Sequence, residues 1–353
     1  MPAYRVDLRS DTVTTPSARM RAAMATAEVG DAWYGDDPTA NRLQERAAEL
    51  TGTEAALYVA TGTMANQIGL RLHAPGAGHL VACEAGAHVA TTEMMTSAVL
   101  SGISYRSGTD SPRGYMTAEL ARRLLEPDDY FDVEVVDLLE VENTCGSYGG
   151  TVLPSAELSK VHQVASEAGV PIHLDGARLW NAVAATGEDA TAWTSQVDTV
   201  MFCLSKGLGA PIGSVVCGPA ELIREARRIW ILYGGAWRQA GMMAAAGLVA
   251  LEEGRLRLHE DHARARRLAG AIDEMLPGSV DLDMTETNMV FVHTEAVGLE
   301  TLGAIERLSA LGVGAVPVPG AVRMVTHVDV DDEGIALAID AWSQVAASAA
   351  KEI

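Results

Sequence analysis

Lysine is scarce in this chain: the 26 basic residues include only Lys160, Lys206 and Lys351, and the rest are arginines. Generic surface charge is thus left to arginine, and each lysine asks for its own explanation. Positive charge is short overall, with 26 Lys and Arg against 47 Asp and Glu and a net charge of −21. Such a field repels phosphate backbones and anionic lipid surfaces, so neither nucleic acid nor a membrane is an expected partner. The four cysteines, Cys83, Cys145, Cys203 and Cys217, form no CxxC pair, which argues against a disulfide framework and a zinc site; no metal is expected. No apolar run reaches the roughly 18 residues of a membrane span. The start MPAYRVDLRSDTV lacks the apolar core of a secretory signal, and the expectation is a cytoplasmic protein. What is present is a chain of 353 residues, 48% hydrophobic, with apolar area for one large domain and a smaller one.

From about residue 50, short apolar runs alternate with helical patterns. EAALYVA, HLVAC, VEVVDLLEV, VPIHLD, TVMFCLS and GSVVCG are each bounded by Gly, Pro or charged residues. Between them, TMANQIGLRLHA, TAELARRLLE and SAELSKVHQVASEAG carry apolar residues at helical spacing. This order is that of an α/β fold with a mostly parallel sheet, whose ligand groups gather at the strands' carboxyl ends. A long helical segment, roughly 238–276, leads to a terminal block with the runs NMVFVHT and AVRMVTH and a last helix near 332–350, read as a small C-terminal α+β domain. The division expected is 1–250 for the large domain, with segment 1–20 contributing to the site, and 251–353 for the small one.

Three points in the large domain are chemically suggestive. Thr61-Gly62-Thr63 follows an apolar strand and opens a helix, where free backbone amides and the Thr63 hydroxyl make an anion site. Neither a P-loop nor GxGxxG is present, so no nucleotide fingerprint accompanies it. Asp175 ends the strand VPIHLD with Arg178 three residues on, a carboxylate suited to holding a protonated ring nitrogen, or else a structural Asp–Arg pair. Lys206 follows TVMFCLS and precedes the glycine-rich GLGAPIG, so its amine emerges at a strand end into a partly enclosed space where burial would favour the neutral, nucleophilic form. Lys160 and Lys351 are explained by solvated charge. A phosphate cradle, a strand-end Asp and a lysine 31 residues after it are the three fixed points of a pyridoxal 5'-phosphate (PLP) site. His88 and His173 are further candidates that spacing alone does not separate.

With those motifs in hand, the chain resembles the low-specificity L-threonine aldolases, a group of fold-type-I, aminotransferase-like PLP enzymes related to the β-eliminating lyases. The resemblance is carried by DLRSDTVTTPSARMRAAM, VGDAWYGDDPTANRLQERAAEL, TGTMANQ, HLDGARLWNA, CLSKGLGAPIGSV and WRQAGMMAAAGLVAL. It implies a seven-stranded, mostly parallel sheet and a homotetramer of tight dimers, with active sites at dimer interfaces. It implies Lys206 as the Schiff-base lysine, Asp175 as partner of the ring nitrogen, and His88 as the stacking ring, with His88 or an ordered water as base. Gly62, Thr63 and Ser205 would hold the phosphate, with Arg238 from the neighbouring subunit; Arg178 serves both cofactor and substrate sites. Ser10, Arg178 and Arg323 would clamp a substrate carboxylate, and Tyr34 would line the pocket. The activity implied is cleavage of threonine, allo-threonine or a related β-hydroxy-α-amino acid to glycine and an aldehyde. One departure stands out: where the family reads Glu-Asn-Thr-His-Asn, this chain has Glu142-Asn143-Thr144-Cys145-Gly146. Cys145 thus replaces an imidazole near the substrate hydroxyl, which opens a second reading, β-elimination or transaldolation with Cys145 and Tyr148 in its place. A third reading is a PLP-binding protein without catalysis. Trp33 and Trp237 would reshape the mouth or fill core volume.

Overall fold

The computed structural model describes residues 4–127 and 135–349. Lys351 and the first two residues of VEVVDLLEV lie outside them. The strands, in chain order, are β1 (Val6–Asp7), β2 (Ala55–Val59), β3 (Leu80–Glu84), β4 (Ser104–Gly108), β5 (Leu138–Glu142), β6 (Ile172–Asp175), β7 (Thr199–Cys203), β8 (Ser214–Gly218), β9 (Met289–Val292), β10 (Val313–Gly314), β11 (Val316–Val318) and β12 (Ala321–Val325). Seven of them form one sheet in the order β2-β8-β7-β6-β5-β3-β4. Within it β8 alone runs against its neighbours. The parallel strands therefore deliver Thr61, Asp175, Glu142 and Lys206 to the same edge, and the reversed β8 starts there.

Six of those strands coincide with the apolar runs of the sequence; the seventh, β4, does not. Its segment SYRSG is half exposed and sits at the sheet's edge, parallel to β3. Covered on one side only, it needs no hydrophobic run. The expected helices occur as Gly62–His73, Ala118–Leu125 and Ser155–Ala168. The helical run expected over 238–276 is interrupted: Gly241–Val249 continues through a π-helical turn, Ala250–Gly254, into Arg255–Met275. At Gly254 a Cβ would stand 2.5 Å from the Leu208 carbonyl oxygen, so the wide turn ends where the loop after Lys206 lies against the helix.

Three apolar cores exist among the described residues, the smallest gathering Leu70, Val81, Cys83, Ile103 and Leu138 beside β3. The first surrounds the large sheet and includes Trp180, Trp193, Phe202 and Trp230. The second gathers Leu268, Ile272, Val290, Met324 and Trp342 around β9, β11 and β12, an antiparallel sheet ordered β11-β12-β9. The cores divide within one helix, Leu258 facing the first and Ala265 the second. Val6 and Leu8 also belong to the second core, and β1 pairs with β10. The chain's start is thus bound to the C-terminal unit, and only after Leu8 does it turn into the site. Among the described residues no helix is long and apolar enough to cross a membrane.

Candidate active site

At the carboxyl edge of the large sheet lies a cavity of about 370 Å³, lined by Gly62, Thr63, His88, Asp175, Ser205 and Lys206 among others. It opens into a cleft of about 740 Å³ through Thr12, His88, Asp175 and Lys206, which border both. Ser10, Arg178 and Arg323 line the cleft, as do Tyr148, Phe291 and His293. A side recess of about 180 Å³, bordered by Met284, Met289, Phe291 and Tyr148, adjoins it.

The helix Gly62–His73 points its start into the cavity. Thr61 caps it, its hydroxyl accepting from Met64 N at 3.1 Å. The amides of Gly62 and Thr63 are first-turn donors with no intrahelical acceptor, which suits them to an anion. Gly62 cannot carry a side chain there, because a Cβ would lie 2.8 Å from Cys203 Sγ. Lys206, half-buried, follows β7 and borders both cavity and cleft. Among the described residues its ammonium makes no ion pair, whereas the exposed Lys160 meets Glu157 at 2.7 Å.

Asp175 is buried at the end of β6. Its partners are Asn66 Nδ2, 2.7 Å from Oδ2, and the amide of Ala177, 2.9 Å from Oδ1. Arg178 is not among them, which corrects the pairing suggested by their spacing. Arg178 instead forms a two-pronged bond with buried Asp11, Nε to Oδ2 at 2.8 Å and a terminal nitrogen to Oδ1 at 2.6 Å. Burial alone would raise the Asp11 carboxyl, yet Arg178, Lys206 and Asn288 outweigh it and pull its pKa down to about 2. Arg323, on β12, reaches the cleft with its Nε buried and unpartnered, and one terminal nitrogen donates to Arg9 O at 3.3 Å. An unpaired guanidinium face in a cleft invites a carboxylate.

His88 lies half-buried between cavity and cleft, with Nδ1 3.0 Å from Glu93 Oε1. That bond lifts its pKa above the ordinary 6.5, against burial, with help from Asp175. Ligand atoms of His88, Glu93 and Asp175 lie within 4.8 Å of one another, but the Asn66 amide already bridges the two carboxylates. Glu142 receives the amides of Gly146 at 2.7 Å and His88 at 2.8 Å, and burial, followed by Asp175, pushes its pKa up to about 7.

Other expected residues lie elsewhere. His173 is fully buried below the cavity, and burial, reinforced by His73, lowers its pKa to about 3. Cys145 is 2% exposed, its thiol donating to Glu142 O at 3.4 Å, and it does not line the cleft; burial drives its pKa well above the ordinary range. Tyr148 does line the cleft, its hydroxyl donating to Glu84 at 3.0 Å. Tyr34 is 78% exposed and, like Arg238, borders neither cavity nor cleft of its own chain. Arg238 is 3.7 Å from Asp31 and rests over the Trp33 ring. Trp33 is itself exposed and does not fill the core, whereas Trp237 packs on Tyr58 at 4.9 Å. Reading the sequence missed Asp11, Asn66, Glu93 and Glu142, although Asp11, Asn66 and Glu142 stood inside quoted motifs; nothing local distinguishes them from capping or surface polar residues.

The donor set fits PLP: an amine without an ion pair, a carboxylate backed by two donors, and a helix start cleared of side chain by Gly62. Residues 7–295 match the beta-eliminating lyase family. The low specificity L-threonine aldolase of Escherichia coli (strain K12) is 38% identical over 337 residues, covering 96% of this chain and 98% of the relative. The probable low-specificity L-threonine aldolase 2 of Arabidopsis thaliana is 36% identical, covering 96% and 97%. Among solved structures, a putative aromatic amino acid beta-eliminating lyase/threonine aldolase from Exiguobacterium sp. 255-15 superposes with a TM-score of 0.78 at 20% identity, over 97% of each chain, a likeness of fold. With a family match over most of its length and relatives of this identity across nearly all of it, the chain belongs to the beta-eliminating lyase family, in its low-specificity L-threonine aldolase branch.

Proposed function

We propose that this protein is a PLP-dependent aldehyde-lyase that cleaves threonine, allo-threonine or a related β-hydroxy-α-amino acid to glycine and an aldehyde. The observation that carries the reading is one continuous space in which Lys206, Asp175 and the Gly62–Thr63 helix start face Arg323 across the cleft. Bound there, the coenzyme supplies an electron sink for the bond that breaks at the substrate's α-carbon. Lys206 would offer the amine for its aldehyde, Asp175 would partner its ring nitrogen, and His88 would lie against the ring. Gly62, Thr63 and Ser205 would hold its phosphate.

Arg323 takes the substrate carboxylate, together with Ser10 and the part of Arg178 that Asp11 leaves free. Fixing the carboxylate would fix the orientation of the substrate's α-carbon, and so select which of its bonds is broken. The proton of the β-hydroxyl passes to His88 Nε2 or to an ordered water, since Nδ1 is engaged by Glu93. Cys145 is turned away from the cleft, which favours this reading over β-elimination with a thiol acid. The apolar side recess accommodates a Cβ substituent larger than methyl. The family resemblance extends the proposal to a cytoplasmic homotetramer in which Arg238 serves a neighbour's site and Tyr34 lines the pocket.

Incubating the PLP-loaded protein with a panel of β-hydroxy amino acids tests the reaction. Glycine and aldehyde in equal amounts are expected; ammonia and the 2-oxo acid that keeps the substrate's whole carbon chain would assign elimination instead. Lys206→Ala should abolish both turnover and the absorbance band of the lysine-linked cofactor, while borohydride trapping on Lys160 or Lys351 would overturn the assignment.

A further inference from the structure

Below the cavity floor runs a chain of buried polar groups that the proposed reaction does not itself use. It starts at Asn66, one turn into the helix Gly62–His73. Asn66 Nδ2 donates to Asp175 Oδ2 at 2.7 Å and to Glu93 Oε1 at 2.9 Å. Ionised carboxylates only accept, so the amide nitrogen faces them and Oδ1 must face away. There it meets His173 Nε2 at 3.3 Å, which requires the proton on Nε2. His173 Nδ1 is then an acceptor, and Thr199 Oγ1 lies 2.9 Å from it. The Thr199 oxygen is in turn 3.0 Å from His73 Nε2, which supplies the last donor.

Every proton in this series points one way, from His73 towards the two carboxylates. His173 is the central link and is neutral, since burial and His73 lower its pKa to about 3; it carries a single ring proton and so a definite sense. Its place is reserved by Gly69, where any Cβ would overlap the imidazole. Were the Asn66 amide reversed, its oxygen would face Asp175 and Glu93 in a dry interior, where unsatisfied repulsion is most costly.

We infer that Asn66 is a positioning residue of the active site, oriented by the series His173–Thr199–His73. One carboxamide thereby fixes both the acid that faces the coenzyme's ring nitrogen and the acid that holds His88. The inference rests on the reading of Asp175 and His88 as the groups flanking PLP.

The test compares the wild type with Thr199→Val, which keeps shape and removes the hydroxyl, and Thr199→Ser, which restores it. Two readouts are taken: the His173 tautomer by histidine ¹⁵N NMR of cofactor-free protein, and the ¹⁵N shift of labelled PLP together with its Kd. The wild type should show His173 protonated at Nε2. Thr199→Val should lose that preference, move the pyridine nitrogen signal towards the unprotonated form and weaken PLP about tenfold or more, the consequence of one misdirected bond to a charged group. Thr199→Ser should behave as wild type. A wild-type His173 protonated at Nδ1 would overturn the inference without any variant, even if Thr199→Val fails to fold. A Thr199→Val signal and Kd equal to the wild type's would also overturn it, as would equal impairment of both variants. Failure of the wild type to bind PLP at all would overturn the proposed function and this inference with it, and is distinguished by the His173 tautomer, which reports on the series alone.

Discussion

Asp11 and Arg178 stand 167 residues apart in the chain and meet as a buried pair beside Lys206. An unpaired guanidinium in that position would be an uncompensated buried charge, so Asp11→Asn should cost roughly 3–5 kcal/mol of stability, read from urea unfolding. The pH dependence has a definite sign. Because folding depresses the Asp11 pKa from 3.8 to about 2, its stabilisation is complete above 3.8 and is lost as pH falls through about 2. The variant should therefore be less stable at neutral pH and lose less on acidification across that window. An acid limb as steep in Asp11→Asn as in the wild type would contradict this. At this scale legibility divides by the range of the interaction. Lys206 could be singled out because lysines are few, and Asp175 because it closes an apolar strand. Arg178 could be found but not its partner, since the proximity of Asp11 is created by the fold. Cys145 shows the converse: a departure from a motif suggested a pocket group, yet the side chain is turned towards Glu142 O.

Among the elements, the start of Gly62–His73 is the most constrained. Thr61 bonds Met64 N, and a Cβ at Gly62 would lie so near Cys203 Sγ that the two positions must be small together. Gly62→Ala should force the helix start away from the cavity and weaken PLP binding at least tenfold. Adding Cys203→Ala, which removes the sulfur in the way, should restore most of it. Equal loss in the single and double variants would place the fault in glycine's backbone freedom instead of the contact. Elements built on periodic apolar residues were readable beforehand, including the buried strands that carry the site. Among those that escaped were β4, half exposed with little apolar pattern, and the π turn Ala250–Gly254, whose cause is the loop at Leu208 and not its own residues.

For the molecule as a whole, the cavity of one chain is bordered by neither Tyr34 nor Arg238, although the resemblance implies a place for both at the site. Met94, Met95 and Val99 leave an apolar stretch exposed a few residues beyond Thr91 and Thr92, which line the cleft. A second copy laid over that stretch would shield it and bring foreign residues to the mouth. The proposed oligomer therefore has a consequence that distinguishes it from a site complete within one chain. Lys206→Ala subunits lack the amine, and Arg238→Ala subunits should bind PLP weakly. If Arg238 acts across the interface, a mixed dimer of the two variants contains one site with Lys206 from one chain and Arg238 from the other, whole in both. Unfolding and refolding the two variants together should then recover turnover and tight PLP binding in a fraction of sites. If Arg238 acts within its own chain, no pairing of the two produces a whole one; if it acts on no site, Arg238→Ala is fully active by itself; in both cases the mixture stays at the activity of its parts.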